Sequence, residues 1–442
     1  MTMRNLSVLI VSSFPPSFFA GLGDDMRKAL EKIGCQVDFL TRYKFPYENV
    51  IGLERRKFKI KQTKITRLVL RCFRPFNSVF LKWGINKRDD SKYIKHDGRA
   101  IVAPNEEDLF YNNELVLNSI VKEYDFVIIN VWQNMLTSIT IDAIYKKLKV
   151  PILLLAGDMQ PFTGGCYYFG NCRNFENGCG CCPILQSCDK YDLTYQNFKI
   201  KKNVYSNVNC AFVSNSYVNS FAKSSGMFER ISYSSIPIDE DEYIPMNPKE
   251  CRKYFNLPSC KKFVIFSRFV TISHKIKGYD YLLDSVNLFA KKLTEEQRNE
   301  VLLLFAGGRD EGYESHFDID VKNIGLLSRK DLIKAYSAAS VFVSSSIDEA
   351  GPSMLNQSMM CGTPVVSFDV GAAVDMTTNG VTGYKARMKD CEDLCSGLLF
   401  FYEQSEDQMT YIKKCCRERA MDNCALTNFA NRIVNIYKSL IV

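Results

Sequence analysis

Two separate series of apolar runs constrain the fold more than any other feature of this chain. The first opens at Leu6-Ser-Val-Leu-Ile-Val-Ser12 and continues with Gln36 to Leu40, Phe126 to Val131, Ile152 to Ala156, Cys210 to Val213 and Arg230 to Ile236. The second opens at Lys262-Phe-Val-Ile-Phe-Ser267. It continues with Val301 to Ala306, a strand end at Asn323-Ile-Gly-Leu326, Ser340 to Ser344 and Pro364 to Phe368. Runs that stay apolar from residue to residue belong to strands covered on both faces, and such strands pair in parallel through helical crossovers. Between the first two runs, Met26, Leu30 and Ile33 recur at helical spacing and Gly34 follows them. That makes a βαβ unit whose first turn holds Gly21-Leu22-Gly23-Asp24, though not in the dinucleotide-binding spacing. A charged stretch at 239–250, with two prolines and an asparagine, separates the two series and reads as a linker. At 442 residues the chain also exceeds what one core usually holds. The expectation is α/β throughout: two doubly wound domains facing a cleft.

Residues 349–371 carry the most chemistry. Glu349 is followed by Gly351-Pro352-Ser353-Met354, a short helix containing Gln357, a stop at Gly362-Thr363-Pro364, and a buried strand. Pro352 and Ser353 suit a helix N-terminus and Gly362 its C-terminal cap. Backbone N–H groups and the positive end of the helix dipole at Gly351, Ser353 and Met354 suit a diphosphate. Glu349 just before the helix and Gln357 inside it can reach hydroxyls on either side of such a phosphate. Taken alone, the same segment also fits an ordinary strand-loop-helix of an α/β domain.

The segment resembles the Glu-x7-Glu signature of retaining nucleotide-sugar glycosyltransferases of family 4, which have the GT-B fold. Cys361-Gly-Thr-Pro-Val-Val366 resembles that family as well. Gln357 stands where the family usually has its second Glu. An amide still hydrogen-bonds ribose hydroxyls, without charge assistance, so weaker or altered donor binding is expected. The resemblance further implies that Arg268 and the Lys277-Gly278 pair hold the donor diphosphate, where fixed cations meet the charge that develops on the leaving group. Lys275 is a rival to Lys277. Glu349 would position sugar hydroxyls without attacking. Gly307 and Gly325, with Gly308, match the family's strand ends near the nucleotide base, and Gly21 would let the first domain's backbone approach the phosphate. Three parts are implied: an acceptor-binding domain at 1–240, a nucleotide-sugar domain at 241–420, and a final segment, 421–442, whose helix crosses back to the first domain. That helix carries an apolar face of Phe429, Ile433, Ile436, Tyr437 and Leu440.

The formal net charge of +8 is unevenly spread. Between Arg55 and Arg88 there are 12 Lys or Arg and no Asp or Glu, so the remaining chain carries −4. Cations mixed with Leu, Val and Phe in that stretch suit an anionic bilayer surface, at about 1 kcal/mol per basic residue near the headgroups. A solvated insertion is the plainer alternative. Nucleic acid is the competing anion, but no recognition motif accompanies the charge, so no nucleic acid is expected. No apolar run approaches the roughly 20 residues of a membrane span. Val8 to Val11 reads as a strand and not a leader, so a cytoplasmic protein is expected, peripheral on the inner membrane face.

Six of the 17 cysteines lie between Cys166 and Cys188. In a cytosolic setting such spacing favours metal over disulfide, and Cys166, Cys172, Cys179 and Cys182 form a candidate four-thiolate zinc site of structural type. Buried or redox-active thiols without metal are the alternative. The surrounding Asp158-Met-x-x-Phe-Thr-Gly-Gly-Cys…Cys-Pro pattern is similar to a subgroup of bacterial polysaccharide glycosyltransferases, with Gly157 and Val131 where those relatives usually have His. Asp158 is the remaining acceptor-side candidate, with a purely structural role as the alternative.

The function expected is transfer of a hexose-type sugar from a UDP- or GDP-sugar to a glycan acceptor, lipid-linked on a polyprenyl carrier, with retention of configuration. Three alternatives remain open on sequence: a non-catalytic nucleotide-sugar or glycan-binding protein on the same fold, a sugar-nucleotide epimerase, and a nucleic-acid protein working through 55–88.

Overall fold

The computed structural model describes residues 6–44, 49–54, 94–96, 99–101, 105–269, 274–307, 313–351 and 353–441. The basic segment 55–88, Gly308 and Pro352 lie outside the described residues. Both series of apolar runs form parallel sheets. The first half contributes β1 (Ser7–Ser12), β2 (Gln36–Tyr43), β3 (Val50–Glu54), β4 (Ile94–His96), β5 (Arg99–Ile101), β6 (Phe126–Asn130), β7 (Ile152–Leu155), β8 (Cys210–Ser214) and β9 (Ile231–Tyr233). Seven of these make one sheet in the order β3-β2-β1-β6-β7-β8-β9, while β4 and β5 form a separate antiparallel pair. The second half contributes β10 (Phe263–Phe269), β11 (Val301–Gly307), β12 (Asp320–Asn323), β13 (Val341–Ser344), β14 (Val365–Phe368) and β15 (Gly383–Ala386). Their order is β12-β11-β10-β13-β14-β15.

The runs explain the order. Val8 to Val11 are fully buried because β1 pairs with β2 on one side and β6 on the other, with helices over both faces. β10 has the same central place between β11 and β13. In each sheet the chain works outward from the centre on one side and then returns to fill the other. The crevice at the carboxyl ends of the central strands is therefore a topological switch point, where ligands of open α/β sheets bind. Arg268 lies at the carboxyl end of β10, Lys277 and Glu349 follow β10 and β13 at that edge, and Asp158 follows β7 of the facing sheet.

The structure differs from the sequence reading in three places. The first helix spans Phe18–Lys32, so Gly21 and Gly23 fall within it. A Cβ at Gly23 would stand 2.6 Å from Pro16 Cα, so the glycines let the helix start fold tightly against the preceding chain. The 239–250 stretch is not free: Lys28 pairs with Asp239 at 2.6 Å and Lys32 with Glu240 at 2.7 Å, and Tyr243 is fully buried. β3 and β15 were not marked by long apolar runs, and both lie at sheet edges, with no paired neighbour on one side among the described residues.

The last helix, Leu426–Ile441, does cross back. Phe429, Ile433, Val434, Tyr437 and Leu440 pack in one core with Val8, Ile10, Met26 and Leu30 of the first domain, and Tyr437 stacks on Phe126 at 4.7 Å. Among the described residues, no helix is long and apolar enough to cross a membrane.

Candidate active site

The residues after β10 and β13 are zipped together. Ile347 N–H donates to the Ile276 carbonyl at 2.9 Å, and the Ser345 hydroxyl donates to the Lys277 carbonyl at 3.3 Å. This closure works only because residue 278 is glycine, with φ of +71° and a would-be Cβ 1.9 Å from the Ser345 carbonyl oxygen. The result is a direct ion pair between Lys277 Nζ and Glu349 Oε2, 72 residues apart in sequence. Glu349 is buried and Lys277 half-buried. Lys275, the rival, is exposed.

Beside this pair, Arg268 Nη1 donates to Gln357 Oε1 at 3.2 Å and lies 3.3 Å from the Tyr336 hydroxyl. Tyr336 also donates to Gln357 Oε1 at 3.4 Å. Gln357 sits in the helix Ser353–Met360, buried at 2 % exposure, so its amide oxygen is held between a guanidinium and a phenol. Arg268, Lys277, Ser346 and Met354 line one pocket. The helix ends as expected: Thr363 N–H donates to the Ser358 carbonyl and Gly362 N–H to the Met359 carbonyl, both at 2.9 Å.

Gly307 closes β11, where a Cβ would stand 1.8 Å from the Phe269 carbonyl oxygen, and its N–H donates to the Gly325 carbonyl at 2.7 Å. Gly325 itself faces open space. Gly351 is placed by Asn215 of the first domain, whose side-chain amide donates to the Ala350 carbonyl. Gly21 meets the second domain through Arg329: a Cβ there would stand 2.1 Å from Arg329 Nη1. Arg329 continues inward to Asp25 at 2.7 Å and to Glu242 at 3.0 Å. Burial pushes the Asp25 carboxyl up to about 7 despite that guanidinium.

On the facing domain, Asp158 Oδ2 accepts from Gln133 Nε2, and Oδ1 accepts from Gln160 N–H at 2.9 Å. Desolvation pushes its carboxyl up to about 7, so it carries a proton near neutrality that an ordinary Asp would have lost. A Cβ at Gly157 would meet only Val131 Cγ2, at 4.0 Å, so the space a larger side chain needs is present. Behind Asp158 the fully buried Lys201 donates to the Gln160 and Thr163 carbonyls at 2.8 and 3.0 Å, with Glu106 at 3.5 Å. This pair fixes the backbone from 160 to 163.

Cys166, Cys172, Cys179 and Cys182 line one cavity of about 20 Å³, together with Phe169, Phe175 and Ile184. Cys181 and Cys188 are exposed. Among the described residues, no three cysteine, histidine or carboxylate side chains already converge as ligands of a single ion.

Sequence reasoning missed the groups that act through tertiary contact. Tyr336 reaches Gln357 from a different helix, Asn215 reaches Ala350 from the other domain, and Asp348 accepts from the Gly170 N–H at 3.0 Å. None has a local sequence signal.

Residues 260–404 match the family described as glycosyl transferases group 1. The second domain is similar to that family over most of its length. Solved structures extend the likeness over the whole chain. Sucrose-phosphate synthase from Thermosynechococcus elongatus aligns over 99 % of both chains with a TM-score of 0.62 at 15 % identity. Anabaena HepE in complex with UDP-glucose covers 98 % of this chain and 100 % of its own, with TM-score 0.59 and 13 % identity. A variant of S. aureus TarM, in complex with fondaparinux, alpha-GlcNAc-glycerol and UDP, covers 98 % and 99 %, with TM-score 0.58 and 12 % identity. No curated protein sequence matches significantly. At such identities the structural likeness establishes the fold, which is GT-B. The matched stretch in the second domain supports a glycosyltransferase activity.

Proposed function

We propose that this enzyme transfers a hexose-type sugar from a UDP- or GDP-sugar to a lipid-linked glycan in polysaccharide biosynthesis, with retention of configuration. The observation that carries this reading is the Lys277–Glu349 pair beside Arg268–Gln357 at the switch point of the second sheet. Two basic side chains line one pocket, and a carboxylate and an amide flank them. In this reading the diphosphate draws Lys277 from Glu349, and Glu349 is freed to accept from hydroxyls of the donor sugar. Gln357 contacts the ribose. The helix beginning at Ser353 adds N–H donors and its dipole to the phosphate.

Bond balance follows from those roles. The anomeric carbon–oxygen bond to the diphosphate breaks, the acceptor oxygen bonds to that carbon on the same face, and the acceptor proton passes to the leaving phosphate. Lys277 and Arg268 stabilise the charge that appears on the leaving group, an effect worth a few kcal/mol per fixed donor. Asp158 orients the acceptor hydroxyl from the facing domain. The presence of UDP in the HepE and TarM structures supports a uridine donor for this chain. The basic segment 55–88 would hold the enzyme on the cytoplasmic membrane face, near a lipid-carried acceptor.

Acceptor-dependent nucleotide release tests the proposal. With a polyprenyl-linked glycan and a panel of UDP- and GDP-sugars, one donor should give release and a product whose new bond keeps the donor's anomeric configuration. Absence of acceptor-dependent release with every donor would contradict it, and an inverted product would contradict retention.

A further inference from the structure

The insert between β7 and β8 contains more order than a surface loop requires. Of its six cysteines, four line a single cavity and two, Cys181 and Cys188, face solvent. The four come from two short segments, Cys166 and Cys172 on one and Cys179 and Cys182 on the other. An amide hydrogen points at one of the sulfurs: Gly164 N–H donates to Cys179 Sγ at 3.2 Å. The intervening backbone is left-handed at four successive residues, with φ of 93°, 61°, 90° and 45° from Gly178 to Cys181. At Gly180 a Cβ would strike the Lys190 carbonyl oxygen at 2.1 Å, so this turn is held tightly folded.

We propose that Cys166, Cys172, Cys179 and Cys182 bind one zinc ion, and that the ion anchors the segment that reaches across the cleft to Asp348. Four sulfur donors around a cavity of single-ion size form a closed tetrahedral set, which suits zinc in a structural role and leaves no position for a substrate. Capture requires the sulfurs to turn inward onto one centre, since they do not yet converge. The consequence lies between Cys166 and Cys172. That five-residue span carries Gly170, whose N–H donates to Asp348 at 3.0 Å, one residue before Glu349. Fixing both ends of the span fixes the first domain's grip on the donor loop of the second.

The test uses the full chain purified without chelator. Elemental analysis should find about one zinc per chain. Cys172→Ser and Cys182→Ser should lose it, while Cys181→Ser and Cys188→Ser keep it. Because the first two variants may fail to fold, wild-type protein is also exchanged into cobalt, where thiolate coordination gives an intense charge-transfer absorption. Removing the metal should speed hydrogen exchange in the peptide spanning 166–172, without any assay of transfer. Folded wild-type protein that lacks zinc and gives no cobalt–thiolate band overturns the proposal. Zinc retained equally by the Cys172 and Cys182 variants also overturns it.

Discussion

Gly278 and Ser345 approach so closely that a Cβ on the first would stand 1.9 Å from the carbonyl oxygen of the second. The loop carrying Lys277 and the loop leading to Glu349 can close only over a glycine. Gly278→Ala adds a backbone clash to a left-handed φ of +71°. The expected cost is about 1–3 kcal/mol of stability for the strained position. Transfer should fall further than stability explains, because Lys277 is displaced from Glu349. Parallel measurement of Tm and of the transfer rate in folded protein checks this, and a near-wild-type rate would contradict it.

Gln357 Oε1 lies 3.2 Å from Arg268, in a buried setting. Gln357→Glu places a carboxylate there, which strengthens the bond to Arg268 and gives charge-assisted acceptance from ribose hydroxyls. Charge assistance adds about 1 kcal/mol per hydrogen bond, so donor affinity should rise roughly fivefold. Calorimetric titration with the cognate nucleotide-sugar reads this directly. Unchanged or weaker binding would remove Gln357 from the ribose site.

Asp158 gives a pH dependence with a definite sign. Burial raises its carboxyl from the ordinary range to about 7, so over that window the folded chain holds a proton that the unfolded chain releases. This carboxyl therefore disfavours folding increasingly as pH rises from about 4 to about 7, and steadily above it. Asp158→Asn removes the penalty. Its stability gain over wild type should be near zero at pH 4, grow through neutrality and then level off. If Asp158 also orients the acceptor in its ionised form, the transfer rate should rise through pH 7 and lose that limb in the variant.

Arg329 joins the two domains by contacting Gly21, Asp25 and Glu242. Arg329→Ala leaves the buried Asp25 without its cation. Asp25 already titrates near 7, so at pH 6 it escapes most of the cost by staying protonated, while at pH 8 it must ionise unpaired. Denaturant unfolding should show a larger destabilisation at pH 8 than at pH 6. Equal losses at both would assign the effect of Arg329 to packing alone.

Much of this architecture was legible in the chain because buried parallel strands announce themselves. Val8 to Val11 and Val301 to Ala306 have no polar residue to disguise them, and the turn at Gly362 follows from helix-capping chemistry. Glu349 and the pair of cations were singled out through resemblance. What the sequence leaves open is pairing between distant segments. Lys277 rather than Lys275 contacts Glu349 because Ile276 and Ile347 bond across the sheet edge, a relationship no local pattern encodes. Likewise Gly21 reads as a phosphate turn, yet its neighbour is Arg329 from the other domain. The 239–250 stretch reads as a linker because its charges look solvated. Lys28 and Lys32, more than 200 residues earlier, bind those charges in place.

The most direct test of the central claim is thermal stabilisation by UDP-, GDP- and ADP-sugars, with Lys277→Ala beside the wild type. A donor at 100-fold above its dissociation constant should stabilise the wild type by about 2.7 kcal/mol. A clear shift in Tm is expected with a UDP- or GDP-sugar, and its loss in Lys277→Ala. Stabilisation that survives in the variant, or none with any nucleotide-sugar in the wild type, would contradict the donor site described around Lys277 and Glu349.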